Sequence, residues 1–127
     1  MKVIHARAKD SPSEIRSATF TGTVWADTVM PTTDNVALNN VFFAPGGHTH
    51  WHTHEYGQVL HVLGGQGWVC KEGEAAQVIR TGDMVWIAPH ERHWHGASSS
   101  GFMMHLAVSM GKTSWAEPLA ANVYPIS

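Results

Sequence analysis

Two histidine-rich stretches carry the side chains of this chain that are best suited to chemistry. The first contains His52, His54 and Gln58, and the second, further along the chain, contains His93 and His95. In a β-strand successive side chains point to opposite faces, so the three residues of the first stretch share one face. Neutral imidazoles and side-chain oxygens are ligands for divalent first-row metals. The two stretches together therefore predict a metal site.

The spacing in the first stretch resembles the first signature of the cupin superfamily. Gly46 is followed by five residues and then by His52 and His54. Three intervening residues separate His54 from Gln58, and six more separate Gln58 from Gly65. Both glycines stand where the signature begins and ends.

The second stretch resembles the second cupin signature. Gly82 precedes a β-rich run over residues 83–88, Pro89 follows in a turn, and His93 occupies the ligand position. The resemblance implies an all-β fold, a single-domain cupin with a jelly-roll β-barrel, that binds one divalent metal ion per subunit. The implied metal ligands are His52, His54, Gln58 and His93.

This chain departs from the cupin pattern at four positions. In the first signature, Gln58 replaces the usual Glu. In the second, Ala88, His90 and Ala97 replace the usual Pro, Gly and Asn, so the turn in this signature is expected to shift. A neutral amide among neutral imidazoles leaves the full charge on a divalent ion, whereas a carboxylate would reduce it. The sequence therefore predicts a stronger Lewis acid, suited to polarising an oxygen.

Two further histidines are candidates for proton transfer. His95 has the same parity as His93, so it is predicted to face the cavity with an imidazole suited to acid–base chemistry. His105 is predicted to face the cavity from the last strand, on one face with Met103, Ala107 and Ser109. The opposite face, predicted to be apolar core, carries Phe102, Met104, Leu106 and Val108. A structural histidine satisfied by a backbone partner is the alternative for His105.

Several runs are similar to the small bacterial cupins that act as manganese-dependent hydroxynitrile lyases. These runs are HTHEYGQVL, GDMVWIAP, HWHGA and MMHLAV. Those lyases also have Gln in place of the ligand Glu. The resemblance implies that His95 and His105 are catalytic and that Asn39 and Val41 line the substrate pocket. It also implies manganese, with iron, zinc, nickel or cobalt as alternatives because availability can decide the metal.

Two additional histidines distinguish this chain from the lyases that it resembles. His48 and His50 are in phase with His52. They either line the rim of the cavity or bind stray metal, and His50 is assigned to the substrate pocket on the first basis. The alternative is that both are solvated loop residues after the Gly46–Gly47 turn.

Three functions are compatible with these residues. The first is a metal-dependent lyase of the hydroxynitrile lyase type, which cleaves or forms a carbon–carbon bond in a small cyanohydrin-like substrate. The second is a metal-dependent dioxygenase of a small organic substrate, which oxygen consumption would reveal. The third is a non-catalytic cupin that binds a small ligand, and it would tolerate substitution of His95 and His105.

Composition limits the partners of this chain. Its 127 residues suffice for one domain, and its net charge is −2 with eight scattered Lys and Arg residues, so no nucleic-acid partner is expected. No apolar run approaches the ~20 residues of a membrane helix, so no membrane partner is expected. Cys70 is the sole cysteine, and the start MKVIHARAKD lacks the apolar stretch of a signal peptide. A cytoplasmic location is expected.

Short β-rich runs separated by turn residues organise the chain. Strands are predicted at 19–25, 36–44, 58–63, 67–71, 75–81, 84–87 and 102–110. The resemblance to the cupin barrel covers about residues 35–110, and the two terminal segments are assigned to a subunit interface. Val59, His61 and Leu63 would form an outer face that a monomer exposes. A homodimer or homotetramer is therefore expected.

Overall fold

A computed structural model of the protein describes residues 1–125, which contain twelve β-strands and no helix that could cross a membrane. The strands are β1 (Glu14–Arg16), β2 (Phe20–Thr21), β3 (Val24–Thr33), β4 (Val36–Phe43), β5 (His48–Thr49), β6 (His52–His54), β7 (Gln58–Lys71), β8 (Gln77–Arg80), β9 (Met84–Ile87), β10 (His93–Ala97), β11 (Met103–Met110) and β12 (Thr113–Trp115). The predicted all-β fold is confirmed.

The strands form two antiparallel sheets that share β7. The long sheet has the order β1, β3, β4, β11, β7, β9. The short sheet has the order β8, β7, β10, β5, β2, and β6 lies between β10 and β12. Because β7 passes from one sheet into the other, the two sheets close into a nearly complete barrel.

β7 is one strand of 14 residues, where the sequence predicts two strands separated by a turn. Its pairing with β11 shifts register between Met104 and His105, which leaves Leu63 without an opposite residue. Gly65 has a φ of 72°, and a Cβ at this position would lie 2.0 Å from the Phe102 carbonyl oxygen. The glycines therefore let β7 bend into the second sheet instead of ending it.

The barrel is also longer than the predicted residues 35–110. The predicted strand at 19–25 is two strands, β2 and β3, which are separated by Gly22 at a φ of 81° and belong to different sheets. β1 and β12 pair with β3 and β6 of the same chain. The terminal segments thus extend their own barrel, and an interface role for them stays a prediction.

The core lies between the sheets, where alternate side chains of each strand point inward. Val24, Phe43, Val62 and Met103 are fully buried there. Each side chain of this size contributes roughly 1.5–3 kcal/mol when it is buried. The burial pattern of β11 alternates, with Met103, His105 and Ala107 buried.

The other face of β11 corrects an expectation. Met104, Leu106 and Val108 were expected in the apolar core, but they lie on the outer face of the long sheet and are only half-buried. Phe102 is 44% exposed, and Trp86 on β9 is 60% exposed. Met104, Leu106 and Val108 point outward because they alternate with Met103, His105 and Ala107, which point into the barrel. The homodimer or homotetramer stays a prediction.

Candidate metal centre

Four strands bring the predicted site residues together. β6 carries His52 and His54, β7 begins at Gln58, β10 carries His93 and His95, and β11 carries His105. Strand pairing sets His93 opposite His52. The predicted metal ligands are buried and adjacent, and we call them the ligand cluster: His52, His54, Gln58 and His93.

The imidazoles of the ligand cluster pack at short distances. The ring centre of His52 lies 4.1 Å from that of His93 and 5.1 Å from that of His54. Possible ligand atoms of His52, His93 and His95 all lie within 4.8 Å of one another. Three histidines of this barrel could therefore hold one metal ion, and His95 competes with His54 for the third position.

The Nδ1 atoms of the cluster are held by oxygen atoms. Nδ1 of His52 lies 2.9 Å from the His50 carbonyl oxygen, and Nδ1 of His93 lies 2.8 Å from the Glu91 carbonyl oxygen. A carbonyl can only accept, so each Nδ1 carries the hydrogen and each Nε2 keeps its lone pair. Nε2 of His54 is buried and has no hydrogen-bond partner among residues 1–125. Such lone pairs are what a metal ion requires.

The contact between His93 and Gln58 fits a cation. The amide nitrogen of Gln58 donates to the Ser109 hydroxyl at 2.9 Å, and Oε1 lies 3.3 Å from Nε2 of His93. Because Nδ1 of His93 already carries the ring hydrogen, an amide oxygen and a nitrogen lone pair face each other inside the protein. A cation beside them would satisfy both atoms, so the donor set fits a divalent ion.

Burial keeps the cluster histidines neutral. It lowers the pKa of His54 to about 4 and the pKa of His93 below its usual value. For His52, burial and then the adjacent His93 lower the pKa well below the usual value. Neutral imidazole is the ligand form, so these side chains need not lose a proton near pH 7 to bind metal.

His95 and His105 form a second arrangement, which we call the imidazole pair. Nε2 of His105 lies 3.0 Å from Nδ1 of His95. The other nitrogens, Nε2 of His95 and Nδ1 of His105, are buried and find no hydrogen-bond partner in the described part of the chain. Burial lowers the pKa of His105 to about 4, and burial followed by the neighbouring His105 lowers that of His95. The pair is neutral near pH 7, so each ring has one nitrogen with a lone pair.

The site opens into a cavity of about 560 Å³ inside the barrel. The predicted pocket residues Asn39 and Val41 line it, together with six of the residues already described: His52, His54, Gln58, His95, His105 and Ser109. His93 does not line the cavity, although it packs against His52.

His50 departs from its predicted place, because it is not among the residues that line the cavity. Residues 50 and 51 interrupt the strand between β5 and β6, so the parity that assigned His50 to the pocket does not hold there. His48 stacks on Tyr124 with ring centres 4.2 Å apart, so it is neither a cavity residue nor a solvated loop residue.

The turn before β10 still positions His93, although Ala88 and His90 stand where the family usually has Pro and Gly. His90 has a φ of 62°, a conformation in which the family's usual glycine is favoured. The His90 amide donates to the His54 carbonyl at 3.0 Å, and the Glu91 carboxylate accepts from the Ala88 amide at 3.2 Å. These hydrogen bonds hold the turn against β6, and His93, which follows the turn, packs beside His52.

Two residues of the site were missed in the sequence. Thr113 and Trp115 of β12 line the cavity and contact His54 and His52. They lie in a tail with no regular pattern, so no periodicity could have found them. Ser109 accepts a hydrogen bond from Gln58 and lines the cavity. It has the same parity as His105, so the predicted face of β11 is the one that lines the cavity.

Comparisons with known proteins place this fold in a family. The family model for the cupin domain matches residues 40–109. An (R)-mandelonitrile lyase from Granulicella tundricola is 48% identical over 91 residues, which cover 70% of each chain. A cupin-like protein from Thermotoga maritima is 30% identical, with a TM-score of 0.82 over 98% of this chain and 95% of that one.

More distant structures share the fold alone. A polyketide cyclase from Streptomyces resistomycificus superposes with a TM-score of 0.74 at 20% identity, over 98% of this chain and 90% of that one. The DMSP lyase from Ruegeria pomeroyi has a TM-score of 0.67 at 16% identity, over 85% and 63%. With its buried histidines inside the barrel and the family model matching more than half of its length, this chain belongs to the cupin family.

Proposed function

We propose that this protein is a metal-dependent lyase that cleaves or forms the carbon–carbon bond of a small cyanohydrin. The observation that carries the proposal is the convergence of buried, neutral histidines on one cavity of about 560 Å³. The 48% identity to an (R)-mandelonitrile lyase supports this reaction over other cupin chemistry.

The ligand cluster, His52, His54, Gln58 and His93, would hold the ion. When bound, a divalent ion supplies Lewis acidity that favours loss of the proton from a substrate hydroxyl. Manganese is proposed first, with iron, zinc, nickel or cobalt as alternatives, because a nitrogen and oxygen donor set accepts each of them.

The imidazole pair would accept the substrate proton and return it to the leaving group. If Nδ1 of His95 donates its hydrogen to Nε2 of His105, Nε2 of His95 keeps a lone pair that can accept the hydroxyl proton of a cyanohydrin. As that proton leaves, the oxygen forms the carbonyl and the bond to the nitrile carbon breaks, with its electron pair on cyanide. Transfer of the same proton from His95 to cyanide gives aldehyde and hydrogen cyanide.

The cavity wall suits a small substrate with an apolar group. Val41, Ala107 and Phe20 give the wall an apolar part, whereas Asn39 adds an amide. The buried position of His95 and His105 keeps bulk water away from the proton acceptor.

The test is an anaerobic assay of mandelonitrile cleavage. Protein stripped with a chelator is reloaded separately with Mn, Fe, Co, Ni or Zn, its metal content is measured, and benzaldehyde release is followed. We expect release that depends on the metal and needs no oxygen. Metal bound at one ion per chain without any release would refute the lyase, and consumption of oxygen with an organic substrate would assign the dioxygenase instead.

A further inference from the structure

A short strand outside the matched cupin residues lies directly beside two of the ligand histidines. β12 pairs antiparallel with β6, so Thr113 stands opposite His54 and Trp115 stands opposite His52. The family model ends at residue 109, before this strand begins. Both side chains of β12 that face the barrel also line its cavity.

Thr113 contacts Nδ1 of His54 through its side chain. Its hydroxyl oxygen lies 3.1 Å from Nδ1 of His54. His52 and His93 are held instead by the backbone carbonyl two residues before each of them. The orientation of the His54 ring therefore depends on a side chain from β12, and a hydrogen donated from Nδ1 to that hydroxyl leaves the lone pair on Nε2.

Trp115 holds the His52 ring by stacking. The indole and imidazole centres lie 4.4 Å apart with an angle of 28° between their planes. Phe20 of the short sheet packs on the same indole at 5.3 Å. The imidazole of His52 therefore lies against the Trp115 indole, which Phe20 supports in turn, and rotation of the imidazole is restricted.

We propose that β12 is part of the metal centre, with Thr113 and Trp115 as positioning residues for His54 and His52. The inference rests on the proposed metal site, and it adds a requirement from outside the cupin signatures. Partners that orient a metal-binding histidine typically change metal affinity by about 10- to 100-fold.

The hydroxyl of Thr113 is tested by matched substitutions. Metal-free Thr113→Val keeps the shape of the side chain but loses the hydroxyl, whereas Thr113→Ser keeps the hydroxyl. Binding of Mn²⁺ and of Zn²⁺ is measured by competition with a coloured chelator. We expect Thr113→Val to bind each ion about 10- to 100-fold more weakly than wild type and Thr113→Ser to bind within a few-fold of it.

Ser114→Ala is the control, because Ser114 lies between the two residues on the same strand and is exposed. It is expected to bind metal as wild type does. Equal affinity of Thr113→Val and wild type would overturn the role of Thr113, as would equal weakening in Thr113→Ser. Thermal unfolding of each metal-free variant shows whether the strand has been lost.

Trp115 is tested in the same assay. Trp115→Ala is expected to weaken metal binding by about tenfold, and Trp115→Phe, which retains a stacking ring, is expected to recover most of it. Affinities unchanged in Trp115→Ala would overturn the role of the indole. A wild type that binds neither ion would refute the metal centre itself, whereas a wild type that binds metal without cleaving cyanohydrin would refute only the lyase.

Discussion

The ligand cluster and the imidazole pair contain the same kind of side chain but hold it in different ways. In the cluster, each histidine Nδ1 contacts an oxygen atom: a backbone carbonyl for His52 and His93, and a hydroxyl for His54. In the pair, His95 and His105 contact each other through ring nitrogens. The two carbonyls fix the hydrogen on Nδ1 of His52 and His93 and leave Nε2 free, which suits metal binding. Two linked imidazoles can instead share a hydrogen.

Burial acts on both groups in the same direction. It lowers the pKa of His54 and of His105 to about 4, so both are neutral near pH 7. The same neutrality suits both proposed roles, because a metal ligand needs a free lone pair and a general base needs an empty proton position. The difference between the groups therefore lies in their hydrogen-bond partners.

The largest effect is expected from removing a cluster ligand. His52→Ala removes a buried ligand nitrogen beside His93. We therefore expect loss of bound metal and a fall in cyanohydrin cleavage of more than about 100-fold. Elemental analysis and the anaerobic assay measure both. His5→Ala, which removes an exposed histidine, is the control and should change neither. Retained cleavage by metal-free His52→Ala would contradict the mechanism.

Substitution in the imidazole pair should separate the two functions. His95→Phe is expected to keep one metal ion per chain and to lose about 10²- to 10⁴-fold in kcat, because the proton acceptor is gone. His105→Phe removes the partner of His95 and should cost less. Loss of metal in His95→Phe would show that His95 is a ligand and would end the distinction between cluster and pair.

A milder change keeps the cluster and alters its charge. Gln58→Glu places a carboxylate beside His93 and reduces the net charge of the ion with its ligands. We expect metal to stay bound and kcat to fall by roughly tenfold, about 1.4 kcal/mol of transition-state stabilisation. Gln58→Ala, which removes the ligand oxygen, is the matched comparison and should weaken metal binding as well. A faster Gln58→Glu enzyme would contradict the role assigned to the neutral amide.

The last prediction concerns stability instead of activity, namely the pH dependence of unfolding in the metal-free protein. The folded-state pKa of His105 is about 4, below the usual 6.5, because of burial. Below pH 6.5, His105 therefore binds a proton in the unfolded chain but not in the folded chain. The free energy of unfolding falls with pH until about pH 4. His105 alone contributes on the order of 3 kcal/mol to this loss.

Thermal unfolding of the metal-free protein between pH 7 and pH 4 measures this loss. Tm should fall across the window in wild type and fall less steeply in His105→Phe. Parallel slopes in the two proteins would show that His105 is not responsible.

Much of the barrel and of the site could be predicted because β-strand parity is local. The alternation of side chains places His52, His54 and Gln58 on one face, and the same rule places His105 inward from β11. Where the strand breaks, the rule fails, and His50 is the example.

What could not be predicted depends on long-range pairing. The bend in β7 at Gly65 follows from the close approach of Phe102, and β12 joins the site only by pairing with β6. The outer position of Leu106 and Val108 follows from which face of the sheet closes on the barrel, which alternation alone does not decide. These features require partners that are distant in sequence.

The most direct test of the account is anomalous diffraction at the manganese edge from crystals of the manganese-loaded protein. We predict one peak per chain within coordination distance of His52, His54, Gln58 and His93, with His95 still bonded to His105 and outside that distance. A peak held by His52, His93 and His95, whose donor atoms already lie within 4.8 Å of one another, with His54 outside it, would contradict the account.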